Sequence, residues 1–475
     1  MAGTYIEGSS KVLSGVYTLI QSVITGIPLG DRGIVAYPFT ADWGPANKLE
    51  QVLFGGEFDK KYNASANESL SANLIYDNAW KGKPQRVLTY RMADPDAAKG
   101  TVSLQDSGTT ESIAMETKYP SDRAFEVTVK DSLATDGNKV IQIIENGYKL
   151  AEVDAGTVAE LEEKLNATGY VNVTSTGDNL PANIVGEPFA GGNNGAAAIT
   201  STEYSNFLDA IEANGKPQAF SLDGVDDEAI IAEMEAWTKR VRDQGLYITF
   251  ASGGPSTWDT DVDAANTASK NFNHRGIVNV GNGVDGYTAA EMAVFVAARV
   301  ASIPLNRTVT DVVIDYDSVN EELLPGDRVK AKEAGTLVFT TDDKGMVVID
   351  EGVNTLTAPS GGEHIYMGKI RVNNALDFIS RDLEAFGNEY KKTKSNTQEA
   401  RQTYASLVQD TYFRALAAME VVKDEPGFRY SYIEDPEYHG KDAVYSPALD
   451  EAYFIAEFTP VDSMERIYQK FQLRF

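Results

Sequence analysis

The spacing of the hydrophobic residues changes character twice along this chain, and that change limits the folds open to it. In the first stretch Arg32-Gly33-Ile34-Val35-Ala36 reads as a strand, the region around Leu70 to Trp80 as a helix and Leu88-Thr89-Tyr90-Arg91 as a second strand. Strand, helix, strand predicts an α/β layer. From about Asp94 to Pro188 the texture becomes alternating: Phe125, Val127 and Val129 face one way, with Glu126, Thr128 and Lys130 between them. Asn146-Gly147 joins Val140–Glu145 to Tyr148–Val153, a strong signal for a two-residue hairpin. One short helix, about Thr157 to Leu165, interrupts these strands. The glycine-rich Gly191-Gly192-Asn193-Asn194-Gly195 reads as a flexible linker closing a β-rich insertion. The α/β rhythm then returns, with helices at about Glu203–Ala213, Asp226–Gln244 and Ala289–Ser302. Strands are expected between them at Ala219–Leu222, Leu246–Ala251 and Ile277–Val280. A parallel or mixed sheet covered by helices is the economical arrangement.

A hairpin, Leu337–Thr340 with Met346–Ile349, precedes a last unit that begins near Glu363. An amphipathic helix carries Ile370, Leu376, Ile379 and Leu383, and a second helix runs from about Thr397 to Val422. Two β-prone segments are left at the ends without an obvious sheet to join. One is Gly15 to Ile24, closed by Gly26 and Pro28. The other follows the strand Ala452–Phe458 and spans Glu465 to Phe475, with Ile467, Phe471, Leu473 and Phe475 on one face and a period of two.

Composition narrows the function classes. The 475 residues suffice for about three domains of roughly 150 each. Acidic residues outnumber basic ones 70 to 42, and the net charge of −28 opposes binding to nucleic acid or an anionic membrane through the bulk field. Cysteine is absent, so there is no disulfide framework, thiolate metal site or cysteine nucleophile. The most apolar run, Ala289 to Ile303, contains Glu291 and Arg299 and is too short for a bilayer. Met1 to Ser10 lack the pattern of a secretory signal, so a soluble protein made in the cytoplasm is expected.

Catalytic chemistry finds little support. Gly281-Asn282-Gly283-Val284-Asp285-Gly286 follows a strand and precedes a helix, as a dinucleotide fingerprint does. The helix start reads later, however, because Thr288 and Glu291 have capping-box spacing. No acidic residue stands about 20 positions on, where Asn306 and Arg307 lie instead, so a turn is expected. Three histidines, His274, His364 and His439, have no metal-ligand spacing and limit general acid–base chemistry. Asp259, Asp261 and Asp263 begin like a calcium loop, but Ala264 and Lys270 replace its glycine and glutamate, so a solvated loop is expected. No cofactor or metal is expected. One basic cluster stands out from the acidic background: Lys391, Lys392 and Lys394, extended by Arg401 on the next helix. It is a candidate patch for an acidic partner.

Several segments, taken in order, resemble contractile tail sheath proteins of myophages and phage-tail-like bacteriocins. They are Ser14-Gly15-Val16-Tyr17, where the family usually begins with proline; Asp31-Arg32-Gly33-Ile34-Val35; and Trp43-Gly44-Pro45-Ala46-Asn47, similar to W-G-P-x-N. Ala297-Ala298-Arg299-Val300-Ala301 then leads through Pro304-Leu305-Asn306-Arg307-Thr308 to Gly352-Val353-Asn354-Thr355-Leu356, similar to the family's G-I/V-N-T-L. Arg371 to Asp382 and Tyr390 to Thr397 resemble the helix and loop that follow.

This resemblance implies an α/β central sheath domain, a mixed sheet with flanking helices that is subtilisin-like in fold only, with a β-rich outward-facing insertion and an α+β C-terminal domain facing an inner tube. The implied division is an N-terminal linking arm at 1–26, core at 27–93 and 196–362, insertion at 94–195, C-terminal domain at 363–460 and a linking strand at 461–475. The arm residues are Val16, Tyr17, Thr18, Leu19 and Ile20 at one end and Ile467, Tyr468, Gln469, Lys470, Phe471, Gln472 and Leu473 at the other. The expected protein is not an enzyme. Its expected partners are copies of itself in a helical polymer, the inner tail tube protein, and baseplate and tail-terminator proteins, with no nucleic acid and no membrane insertion. Its place would be a virion tail or phage-tail-like particle, assembled in the bacterial cytoplasm and released by lysis. The competing readings are an α/β nucleotide-binding enzyme using Gly281–Gly286 and a self-assembling surface-layer protein, the latter disfavoured by the missing export pattern.

Overall fold

A computed structural model describes residues 2–3, 16–17, 29–470 and 472. They fall into two units: Asp31–Asp377 with the chain from Asp462 onward, and Phe378–Val461 with the chain up to Gly30.

Near the N-terminus β1 (Ala2–Gly3) and β2 (Val16–Tyr17) pair in parallel. The larger unit then opens with β3 (Ile34–Thr40), β4 (Leu49–Val52), α1 (Gly55–Tyr62), α2 (Ser71–Asn78) and β5 (Arg86–Met92). The insertion follows as β6 (Thr101–Gln105), β7 (Glu111–Thr117), β8 (Phe125–Asp131), β9 (Lys139–Glu145), β10 (Tyr148–Ala155), α3 (Val158–Ala167), β11 (Val171–Ser175) and β12 (Ile184–Pro188). The chain returns through α4 (Ser201–Ala210), β13 (Ala219–Ser221), α5 (Glu228–Asp243), β14 (Thr249–Ser252), α6 (Val262–Phe272), β15 (Ile277–Val280) and α7 (Ala289–Ser302). It continues through α8 (Pro325–Ala334), β16 (Thr336–Leu337), β17 (Phe339–Thr341) and β18 (Val347–Ile349).

Seven strands form one sheet in the order β16-β15-β14-β13-β3-β5-β4, parallel throughout except for the edge strand β4. Alternation along the strands fills two cores. Val35, Tyr37, Phe39, Val87, Val278 and Val280 join a cluster with α1, α2 and α7. Ala36, Leu88, Tyr90, Phe220, Phe250 and Ile277 join a second with α4 and α5. Both faces are buried, as a parallel sheet requires. Helix α7 is apolar all round because it is core: eleven of its fourteen residues are buried. The predicted capping box at its start is present, Thr288 accepting from the Glu291 amide and Glu291 from the Thr288 amide.

The insertion is a pair of sheets, β10-β9-β8-β12 and β11-β7-β6, closed over Val102, Leu104, Ile113, Met115, Val127, Val129, Ile141 and Ile143, with Leu161 and Leu165 of α3. The Asn146-Gly147 hairpin forms in the predicted register, Tyr148 opposite Glu145, with both turn residues at positive φ. The 191–195 segment is not the flexible linker expected. Asn193 exchanges backbone hydrogen bonds with Ala98, and the Gly195 carbonyl accepts from Asp94, because the two crossings into the insertion pair with each other.

The sequence reading missed α1, α6 and α8. Only Ala331 and Ala334 of α8 are buried, so that helix has almost no apolar stripe to detect. Helix α6 begins within the aspartate run read as solvated loop. Asp259 is 8% exposed and accepts from the Gly283 amide at 2.6 Å. Asp263 lies in the helix's first turn, where the helix dipole favours an acid.

The smaller unit is built on α9 (Ile370–Thr393), whose residues through Asp377 belong to the larger unit, then α10 (Gln398–Leu407), α11 (Arg414–Ala418), β19 (Ser431–Glu434) and β20 (Phe454–Glu457). The single predicted helix over 397–422 is divided by a π-helical turn at Val408–Phe413. The core of this unit is aromatic, with Phe386 stacked on Tyr404 at 5.1 Å between ring centroids and Tyr432 on Phe454 at 5.7 Å.

Of the two terminal segments only the C-terminal one departs from expectation in its described residues. Only Val16–Tyr17 of the first is described, and the rest of it lies outside the described residues. At the other end, described residues 465–470 and 472 form no strand. An alternating pattern sets which side chains share a face, but strand geometry also needs a neighbouring edge to receive its backbone hydrogen bonds.

Candidate assembly interface

The terminal segments hold most of the residues singled out by sequence. Val16 and Tyr17 lie in β2, while Thr18, Leu19 and Ile20 lie outside the described residues. Ile467, Tyr468, Gln469, Lys470 and Gln472 are exposed, Tyr468 to 89%, and Phe471 and Leu473 lie outside the described residues. Ahead of this segment, Lys369 Nζ binds Asp462 and Glu465, each at 2.6 Å. Burial lowers the Lys369 pKa, but the hydrogen bonds to the two carboxylates outweigh it and hold the pKa above its ordinary value. Antiparallel β19 and β20 make a two-stranded sheet, and no further described strand pairs with either edge. The cross-strand pair Ile433 and Ile455 is exposed on it.

Lys391 and Lys392 occupy the last turn of α9 and Lys394 follows it, a position where the helix dipole favours cations. All three are exposed. Two of the four basic residues are paired with acids. Lys392 pairs with Glu389, and the Arg401 Nε donates to Glu434 at 2.6 Å with both side chains mostly covered. Lys391, Lys394 and Arg401 line a cavity of about 470 Å³ with Tyr390, Tyr404 and Phe454, and Asp450 also reaches it. Asn396 closes one side by donating to the Leu449 and Glu451 carbonyls. The arrangement offers an apolar floor with two ammonium groups at its rim, suited to a partner surface carrying carboxylates.

The quoted motifs serve the fold. Trp43 of W-G-P-x-N packs against Tyr119, Phe125 and Tyr170 of the insertion, with the Arg123 guanidinium 4.9 Å from its ring. Asn47 makes a two-way clamp on Ala93, donating to its carbonyl and accepting from its amide. In G-V-N-T-L, Asn354 donates to the Met367 carbonyl, and Thr355 both donates to the His274 carbonyl and accepts from its amide. The glycine run is a turn filled by its own chain. A Cβ on Gly283 would stand 1.9 Å from the Tyr287 carbonyl oxygen, leaving no room for a phosphate there. Among the described residues no cluster of three or more His, Cys, Asp or Glu could hold a metal ion, and no helix is long and apolar enough to cross a membrane.

Sequence reasoning missed Arg91, fully buried on β5, which donates to the carbonyls of Gly44, Pro120 and Asn194 and so joins the W-G-P loop to the β7–β8 loop and the return crossing of the insertion. Burial pulls its pKa down to about 10. A buried arginine on a strand has no local signature. Lys369 and Asp382, which hold the roots of the terminal segments, were missed for the same reason.

Residues 197–355 match the family model described as phage tail sheath protein central domain. With the fold around them, they make the chain similar to tail sheath proteins of contractile systems. The chain is similar to phage-like element PBSX protein XkdK of Bacillus subtilis (strain 168), 24% identical over 411 residues that cover 80% of this chain and 81% of that one. Its fold matches the sheath tail protein of Desulfitobacterium hafniense with a TM-score of 0.69 at 21% identity, over 94% of this chain and 100% of that one. It also matches the helical sheath of the anti-feeding prophage in its contracted state, with a TM-score of 0.55 at 10% identity, over 98% of this chain and 100% of that one. The sheath likeness read from the motifs therefore holds, and these relatives lend no support to a nucleotide-binding enzyme or a surface-layer protein.

Proposed function

We propose that this subunit polymerises helically around an inner tail tube, that its two terminal segments link it to neighbouring subunits, and that contraction of the polymer drives the tube through a target envelope. The observation that carries the reading is the edge of β19–β20 that no further described strand occupies, together with an alternating segment at 466–472 whose described residues form no strand. Strand addition joins two such features, with backbone hydrogen bonds giving affinity and alternate side chains giving register. At about 1 kcal/mol net per hydrogen bond, an arm making about five contributes several kcal/mol, repeated in every subunit. Head-to-tail contacts of this kind that do not close generate a helix.

In this reading Lys391 and Lys394 face an acidic tube surface, and the protein performs no catalysis. Contraction is release of a metastable lattice toward a lower-energy packing, triggered at the baseplate. Assembly takes place in the bacterial cytoplasm before lysis, with the baseplate and the tail terminator bounding the polymer.

Deletion of residues 1–20 tests the arms. A folded, soluble subunit that no longer forms striated tubes under negative-stain microscopy is the expected result, and tubes of normal length would overturn the reading.

A further inference from the structure

Both terminal segments are held at their roots by residues in or beside one helix. On the N-terminal side the Gly30 amide donates between the two carboxyl oxygens of Asp382 in α9, at 3.2 and 3.3 Å. Asp382 is 6% exposed, and the Tyr412 hydroxyl donates to its Oδ2 at 3.0 Å. A Cβ at Gly30 would stand 2.4 Å from Asp382 Oδ1, so only glycine permits this approach. On the C-terminal side the holding residue is Lys369, immediately before Ile370, the first residue of α9. It carries both Asp462 and Glu465, while Arg371 donates to the Ser463 hydroxyl at 2.8 Å. Lys369 is itself fixed, since it bridges to Val353 and the Ile370 amide donates to the Gly352 carbonyl.

We infer that α9 is the member through which pull on either linking arm enters the subunit, with the Asp382 latch and the Lys369 clamp as its fixed points. The inference rests on the reading of the terminal segments as arms. Load on an extended chain travels along the backbone to its strong lateral attachments, and among the described residues these two contacts are such attachments next to either terminal segment. The two differ in kind. The Gly30 latch joins a neutral amide to a covered carboxylate and responds little to salt, whereas the Lys369 clamp is a partly exposed ion pair that salt screens.

The test begins on the unassembled subunit, where no arm is loaded. Asp382→Asn should speed hydrogen exchange of the Gly30 amide, and Lys369→Gln should speed tryptic cleavage after the exposed Arg466, each by about tenfold, as expected when a charge-assisted contact governs local opening. Cleavage in the parent chain should rise with salt, while Gly30 exchange should not. Tyr412→Phe keeps the Gly30 contact and serves as the control for folding. Should Asp382→Asn unfold the subunit, Gly30→Ala opens the same latch from the arm side. Assembled with intact arms, the loosened variants should give tubes that break on contraction. Unchanged exchange and cleavage would overturn the inference while leaving the arms in place, and so would loosened roots with tubes that contract intact. Normal assembly after deletion of residues 1–20 would instead remove the arms themselves.

Discussion

Arg242 and Asp377 meet as a two-point ion pair, Nη1 to Oδ2 at 2.9 Å and Nη2 to Oδ1 at 2.7 Å, with side chains only 3% and 10% exposed. The same arginine donates to the Ile248 carbonyl, and Asn373 donates to the same aspartate. Removing one partner leaves an uncompensated buried charge, which costs about 3–5 kcal/mol. Asp377→Ala should lower the urea midpoint accordingly. Replacing both residues by apolar ones of similar volume should cost markedly less, and equal losses for the single and double variants would refute this account of the pair.

His274 makes acid stability predictable. Burial, then the positive charges of Arg242, Lys239 and Arg275, lower its pKa to about 4 against the opposing pull of Asp377. Its Nδ1 accepts from the Gly276 amide, a contact that needs the neutral ring. The unfolded chain takes up this proton near pH 6.5, so between the two values the unfolded state binds more protons and stability falls as pH drops. From about pH 7.5 to about pH 5, His274→Asn should lose at most about 2 kcal/mol less stability than the parent. Urea titrations at the two pH values measure this difference.

Arg91 supplies the third prediction. Its guanidinium satisfies three carbonyls where the insertion meets the sheet, and Arg91→Met leaves all three without that donor. A loss of about 2–4 kcal/mol follows from buried acceptors losing a charged donor. Limited proteolysis should cut first near 118–122 or 190–195, the segments whose carbonyls Arg91 holds. Cleavage confined to other loops would count against this role.

Within the basic cluster the exposed lysines and the paired arginine should respond differently. Reversing Lys391 and Lys394 together should weaken extended-sheath assembly and reduce its salt dependence while leaving the melting temperature unchanged. Arg401→Gln should instead lower the melting temperature, because it leaves Glu434 without its partner. Tube formation across a salt series together with thermal melts separates the two outcomes, and unaltered assembly by the double reversal would make the lysines ordinary surface.

Gly283→Ala should destabilise the protein by more than about 2 kcal/mol, since the added carbon meets backbone rather than a movable side chain. NAD or ATP should produce no thermal shift in the parent chain. A saturable shift would restore the nucleotide reading.

What the sequence by itself determined is whatever depends on neighbours along the chain. The α/β alternation, the Asn146-Gly147 hairpin and the Thr288 capping box all formed as read, because spacing of two, of 3.6 or of three positions fixes a local geometry directly. The glycine run was legible as a turn for the same reason. The tertiary structure alone decided which distant groups meet. Asp382 is 352 positions from Gly30, and Asp377 is 135 from Arg242. Arg91 finds carbonyls 29, 47 and 103 positions away. Packing brings such partners together, and nothing in the local pattern of a lone arginine or aspartate records it. The terminal segment at 466–472 marks the limit of both, since its period sets the faces of a strand but its described residues pair with no described edge.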